Sequence, residues 1–177
     1  MYELSPILGT GDVTMCRTRA CWKVATGLRF PNGLVRGADG LVYVPSSSTG
    51  VIEAFEHVPR EGFRSVARID TGYTVDNLSV DKKGVLYAAV LPQALRMLRG
   101  FDDPLNARPP AAALRITRGP AGPDGAPTYA VEKIIEDMDG EVLSGATTVI
   151  HDAETGRLFF SGRQSTLCLF WDAKWQS

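Results

Sequence analysis

Short runs in which apolar and polar residues alternate recur along this chain, separated by clusters of Gly, Pro, Asn and Asp. A period of two bounded by such turn residues is the pattern of half-buried β-strands. It predicts strands at 12–16, 21–26, 33–37, 41–46, 50–57, 63–69, 77–81, 85–90, 111–117, 128–136, 144–151, 157–162 and 166–171. One stretch breaks the period. Gln-Ala-Leu-Arg-Met-Leu-Arg-Gly, from Gln93 to Gly100, reads as a short helix, with Pro92 just before it and Gly100 placed to end it. The Pro/Gly-rich segment from Gly119 to Pro127 reads as a surface loop and not as a domain linker, because strands resume on both sides.

The predicted strands come in repeating groups. Phe30-Pro31-Asn32-Gly33-Leu34-Val35 is echoed by Val75-Asp76-Asn77-Leu78-Ser79-Val80, and each phrase runs on into a polar turn containing Gly and a further apolar strand. Gly40 and Gly84 hold equivalent places 44 residues apart, and Gly156 takes the same place in a third unit. A period of roughly 40–50 residues with about four strands in each unit is that of β-propeller blades. Residues 33–69 make one blade and 77–136 a second carrying an insertion; 144–171 make most of a third, and 12–26 supply the outer strands of an incomplete one. The expectation is an all-β chain forming one domain over residues 1–177: a partial propeller of about three blades with one short helix inserted.

Composition narrows the function classes. A net charge of -1 gives no basic footprint for nucleic acid or for an anionic membrane surface. The apolar fraction of 44% is that of a folded chain, yet no apolar run reaches membrane-spanning length. Met1-Tyr2-Glu3-Leu4-Ser5-Pro6 shows neither the basic start nor the apolar stretch of a signal peptide. The three cysteines, Cys16, Cys21 and Cys168, lack metal-ligand spacing and read as buried or idle thiols; a bridge from Cys168 to the N-terminal region is open only in an oxidising compartment.

Asn32, Asp76 and Asn77 are the candidates for chemistry. Each is expected just before the innermost strand of a blade, where side chains face the propeller axis. Calcium takes six to eight oxygens and mixes carboxylates with amide carbonyls readily. The competing reading is turn chemistry, in which Asn-Gly and Asp-Asn bond their own backbone. The two histidines, His57 and His151, are not placed to reach an attacked water. Ser46-Ser47-Ser48-Thr49-Gly50 lacks a nucleophile elbow and reads as a hairpin loop. Asp81 and Asp152 read as structural turn residues, and the acidic run from Glu132 to Gly140 as an outer strand plus turn. Leu91, Met97 and Phe101, around the helix, either line a substrate cleft or pack the helix on its blade.

Three phrases carry a resemblance: Phe30-Pro31-Asn32-Gly33, Thr74-Val75-Asp76-Asn77-Leu78-Ser79-Val80-Asp81, and Gly140-Glu141-Val142-Leu143-Ser144-Gly145-Ala146-Thr147. With Leu114-Arg115-Ile116 and the position of Cys168, they resemble the paraoxonase/arylesterase family, collinearly from about residue 22 to 168 and over the C-terminal half of the family domain. The resemblance implies a six-bladed propeller with calcium in its channel that hydrolyses aryl esters, lactones or phosphotriesters. It implies Asn32, Asp76 and Asn77 as calcium ligands and a small-molecule ester or lactone as partner, for which Leu91 and Phe101, by their place around the helix, are the candidate contacts. The proposed histidine base, the remaining ligands and the cysteine that bridges to the position of Cys168 fall in blades that this chain lacks, so a truncated chain of this kind could be inactive. Where animal members often carry histidine, this chain has Leu91. Two other readings stand beside it: a non-catalytic propeller fragment that binds or self-associates through its open faces, and a lactonase of the gluconolactonase or strictosidine-synthase-like kind.

Overall fold

Alternation of side chains along a strand lets one sheet bury both of its faces when sheets stand on either side. The computed structural model describes residues 9–100, 102–103, 106–162 and 169–172. A hairpin pairs β1 (Gly11–Arg17) with β2 (Ala20–Leu28). The first four-stranded sheet orders β3 (Val35–Arg36), β4 (Val42–Ser46), β5 (Val51–Val58) and β6 (Gly62–Asp70) as an antiparallel meander. The second does the same with β7 (Thr74–Val80), β8 (Leu86–Leu91), β9 (Ala111–Ala121) and β10 (Pro127–Asp137), and the helix α1 (Ala94–Arg99) is inserted after β8. The third sheet joins β11 (Ala146–Asp152), β12 (Arg157–Gly162) and β13 (Leu169–Asp172). The fold is a partial β-propeller: successive meanders packed face to face, each starting from its inner strand.

The middle sheet shows the packing logic. All six residues of β8 are buried. Leu86, Ala88 and Val90 join Tyr43, Ile52, Ala54 and Ile69 of the first sheet in one core. Tyr87 and Ala89, on the opposite face, join Val149, Leu158 and Phe160 of the third sheet in another. The small residues Ala88, Ala89, Ala111, Ala112 and Ala113 let the sheets approach closely. The repeat is also visible in the backbone. Gly40, Gly84 and Gly156 occupy equivalent turns at φ 84°, 82° and 75°, a region where a Cβ is strained.

Three expectations change. Asp76 and Asn77 lie within β7 and not before it. The loop expected from Gly119 to Pro127 shrinks to a turn, because β9 runs to Ala121 and β10 starts at Pro127. Cys16 and Cys21, read as idle thiols, are bridged to each other and exposed, because they stand directly opposite one another in the β1–β2 register. Phe101 and Cys168 lie outside the described residues. No described helix is long and apolar enough to cross a membrane.

Candidate metal centre

In a regular strand, consecutive side chains point to opposite faces. Asp76 and Asn77 are consecutive, yet both reach the same cluster. The reason is an irregularity in β7: Val75 pairs with Val90 and Leu78 with Ala88, so two residues on β7 span one on β8. Such a bulge turns side chains that the pleat would separate towards one side. Ser47, itself buried in the turn after β4, donates its hydroxyl to the carbonyl of Val75 and so ties the first sheet to the start of the bulge.

Asn32 comes from the segment ahead of β3, held in place where its N–H bonds the carbonyl of Pro45 at 3.1 Å. Its Nδ2 donates to Asp76 Oδ1 at 2.9 Å, and Asn77 Nδ2 donates to the same oxygen at 3.0 Å. Asn77 Nδ2 also donates to the carbonyl of Thr147 on β11 at 3.0 Å. The segment ahead of the first sheet and the second sheet therefore meet at one carboxylate, and the Asn77 amide ties it on to the third sheet. Gly33 sits against the cluster at φ 39°; a Cβ there would lie 3.0 Å from both Cα and Oδ1 of Asn77. Only a glycine leaves that space open.

The electrostatics are unusual for an aspartate. Burial raises the Asp76 carboxyl above its ordinary range, and the hydrogen bond from Asn32 offsets this only in part. Among the described residues no cation pairs with it, and neither its Oδ2 nor Asn77 Oδ1 accepts a hydrogen bond. A half-buried carboxylate held by two amide NH2 groups, with further oxygens unclaimed, is a donor set suited to a hard cation. No group of three or more His, Cys, Asp or Glu among the described residues could hold a metal. The cluster around Asp76 is of a different kind, because two of its three members are amides.

The other candidates are placed elsewhere. His151 bonds Asp81 through Nδ1 at 2.8 Å, at the far end of β7, and stacks on Tyr87. His57 packs edge-on against Phe63 on the outer strands of the first sheet. Ser46 and Ser48 donate to the carbonyl of Arg29, which makes the serine run a structural tie. Asp152 caps its own turn through Glu154 N–H and Thr155 Oγ1. Leu91 is buried at the end of β8, opposite Thr74, and Met97 is the buried residue of α1.

That pairing places the start of α1 at the same end of the sheet as the cluster. Leu95 and Leu98 are exposed there, and the Arg96 guanidinium bonds the carbonyls of Arg108 and Met138. Asp137, in the acidic run, gathers the N–H groups of Gly140, Glu141, Val142 and Leu143 on its carboxylate. The acidic run is thus an outer strand that ends at Asp137 followed by a turn, as its sequence predicts, and an Asp closing a strand ahead of Asp-Gly is the signal for such a turn.

The chain matches the family model described as Arylesterase over residues 3–164. No curated protein matches it. A solved luciferin-regenerating enzyme superposes with a TM-score of 0.53 at 13% identity, over 90% of this chain and 46% of that one. A solved gluconolactonase candidate is similar at a TM-score of 0.44 and 13% identity, over 81% of this chain and 39% of that one, too distant in shape to carry an argument. The chain thus spans about half the length of the solved structures it matches.

Proposed function

This chain belongs to the arylesterase family, and from that premise we propose that Asn32, Asp76 and Asn77 hold a calcium ion in the centre of an ester- or lactone-hydrolysing propeller. The observation that carries the reading is the half-buried carboxylate of Asp76, gathered with the Asn77 amide of its own strand and the Asn32 amide from ahead of the first sheet, with no cationic side chain paired to it among the described residues. Calcium bound there supplies Lewis acidity towards a carbonyl or phosphoryl oxygen. Asp76 brings the negative charge. Asn32 and Asn77 fix its position from two sides; Asn77 adds an amide oxygen, and Asn32 Oδ1, which accepts the Gly33 N–H at 3.0 Å as turn chemistry expects, keeps its second lone pair for the ion. Thr147 holds the Asn77 amide by its nitrogen, which leaves the oxygen of that amide available. Three protein ligands are half a calcium shell, so water, substrate or further blades complete it. A water-activating base comes from residues other than His57 and His151, which are engaged elsewhere.

The substrate class under this reading is a small carboxylic ester, lactone or phosphotriester. Leu91 and Phe101 are the proposed apolar contacts for its acyl or aryl group. Titration calorimetry with calcium, followed by phenyl acetate and lactone hydrolysis with calcium and with chelator, tests the proposal. Calcium binding with chelator-sensitive turnover supports it. No heat on calcium addition, or turnover indifferent to chelator, removes it.

One observation favours a second reading. The third sheet buries Val149 against its neighbour and exposes Ile150, on the opposite face, to 53%. That is the face another blade, or a second copy of this chain, would cover. A fragment that self-associates to close a ring elutes as a dimer in size-exclusion chromatography with light scattering; a well-behaved monomer counts against this reading.

A further inference from the structure

The hairpin β1–β2 carries a bridge between Cys16 and Cys21, which face each other directly across the two strands. Arg17 and Ala20 form the next pair, leaving Thr18 and Arg19 as a two-residue turn. Antiparallel pairing already holds these cysteines together, so their bridge closes a very short loop and removes little chain entropy from the unfolded state. Both cysteines are exposed. The hairpin leans on the rest of the protein further along, where Val24, 6% exposed, packs on Gly62 at the start of β6. The bridge therefore staples a tip and not a core.

Its surroundings are cationic. Arg17, Arg19 and Lys23 lie within two residues of a cysteine; the acidic residue of the hairpin, Asp12, is paired to Lys23 at 2.6 Å. The Arg17 guanidinium lies 5.6 Å over the Trp22 ring, and Arg19 has no recorded partner among the described residues. Positive charge beside a sulfur stabilises a leaving thiolate and draws in an anionic thiol.

We infer that the Cys16–Cys21 bridge is a thiol–disulfide exchange site, opened by an anionic low-molecular-weight thiol of the glutathione class. The incoming thiolate attacks one cysteine sulfur. The Cys16–Cys21 bond breaks as the mixed disulfide forms, and the other cysteine leaves as a thiolate that takes a proton from water. A second thiolate attacks the mixed disulfide on the small thiol's sulfur and frees the first cysteine. Two small thiols are oxidised to one disulfide, and one protein disulfide is reduced to two thiols. Exposure makes both sulfurs reachable, and the short loop lets the fold survive the opening.

The test uses the whole chain with Cys168→Ser, so that two cysteines remain. It is held in defined mixtures of reduced and oxidised glutathione, quenched, alkylated and weighed as an intact chain, with circular dichroism taken in parallel. In excess reduced glutathione at millimolar concentration, most molecules gain two alkyl groups while the β signal is unchanged. Cys16→Ser in the same background, exposed to oxidised glutathione, gains one glutathionyl group. Arg17→Gln with Arg19→Gln slows opening by glutathione about threefold at low salt and leaves opening by neutral mercaptoethanol unchanged. If Cys168→Ser does not fold, the natural chain is digested and the alkylated peptides are mapped. A bridge that opens only in denaturant, or a charge variant that slows both thiols equally, overturns the inference.

Discussion

Asp76 and Asp81 sit five residues apart on one inner strand and its turn, and the protein treats them in opposite ways. Asp81 is fully provided for. Its Oδ1 accepts the N–H groups of Lys83 and Val85, its Oδ2 meets His151 Nδ1, and its side chain is 1% exposed. Burial pushes its carboxyl up, but His151 and the two backbone donors outweigh that and hold it below the ordinary value. Asp76 has amide donors on one oxygen and a raised carboxyl. Both aspartates stand on the same seam, where Asn77 and Ser79 of β7 donate to the carbonyls of Thr147 and Val149 on β11 and Asp81 takes His151. One end of that seam is finished as structure; the other is left with charge to spare. A half-buried charge with no counter-charge among the described residues costs free energy, and keeping it needs a gain elsewhere, which here is the proposed ion.

The variant that most directly breaks the contrast is Asp76→Asn. Removing the one carboxylate weakens calcium binding more than about 100-fold, beyond what loss of an outer-shell partner costs a metal site. The ion-free chain is expected to melt no lower than the parent, because a desolvated charge is gone while an acceptor oxygen remains. Calorimetry and thermal melts with and without calcium check both halves. A variant that loses stability without calcium and keeps its calcium heat would make Asp76 a structural residue like its neighbour.

Asp81→Asn is the mirror experiment. It should cost about 1–3 kcal/mol in urea melts, from hydrogen bonds weakened in a buried position, with calcium affinity unchanged. The pH dependence has a definite sign. A carboxyl whose folded value lies below 3.8 contributes stability that is present above that pH and is lost as pH falls through the folded value. The parent should therefore lose stability on acidification more steeply than the variant. Equal acid limbs would mean that the Asp81–His151 contact contributes no linkage.

Gly33→Ala comes next in size. The strained φ and the 3.0 Å approach to Asn77 should cost about 1–2 kcal/mol. Unlike Asp81→Asn, it should also weaken calcium binding, since Asn77 is what the new methyl displaces. Loss of stability with affinity intact would show that the pocket beside Gly33 is not part of the centre.

Much of this was legible in the sequence because local pattern carries it. The strand at 85–90, the helix from Gln93 to Gly100 and the repeated turn glycines follow from apolar period and turn chemistry, and the structure places β8, α1 and the turns at Gly40, Gly84 and Gly156 there. What stayed hidden depends on register or on distant partners. The bulge that turns Asp76 and Asn77 to one side comes from β7 pairing with β8, which no alternation rule reports. His151 and Asp81 are 70 residues apart, and only the packing of β11 on β7 joins them. The Cys16–Cys21 bridge did leave a signal: four residues between two cysteines is the spacing of a two-residue hairpin with one closing pair. That spacing names the bridge only once the register of β1 against β2 is known, because the same two cysteines in a loop or a helix would not face each other.

The smallest effects discriminate most finely. Ser47 and Ser79 each donate one hydroxyl to a carbonyl across a sheet boundary, Ser47 to Val75 and Ser79 to Val149. Replacing either by Ala should cost about 0.5–1.5 kcal/mol, the net worth of such a bond. The consequences should diverge beyond stability. Val75 is the residue before Asp76, so losing the Ser47 tie frees the start of the bulge and lowers calcium affinity several-fold. Ser79 lies past the bulge and its hydroxyl bonds the carbonyl of Val149, not a residue that holds the cluster, so Ser79→Ala should leave affinity as it is. Calorimetry on the two variants, matched for stability loss, decides whether the bulge itself holds the centre together. Equal affinities would assign that task to the Asn32 and Asn77 amides alone.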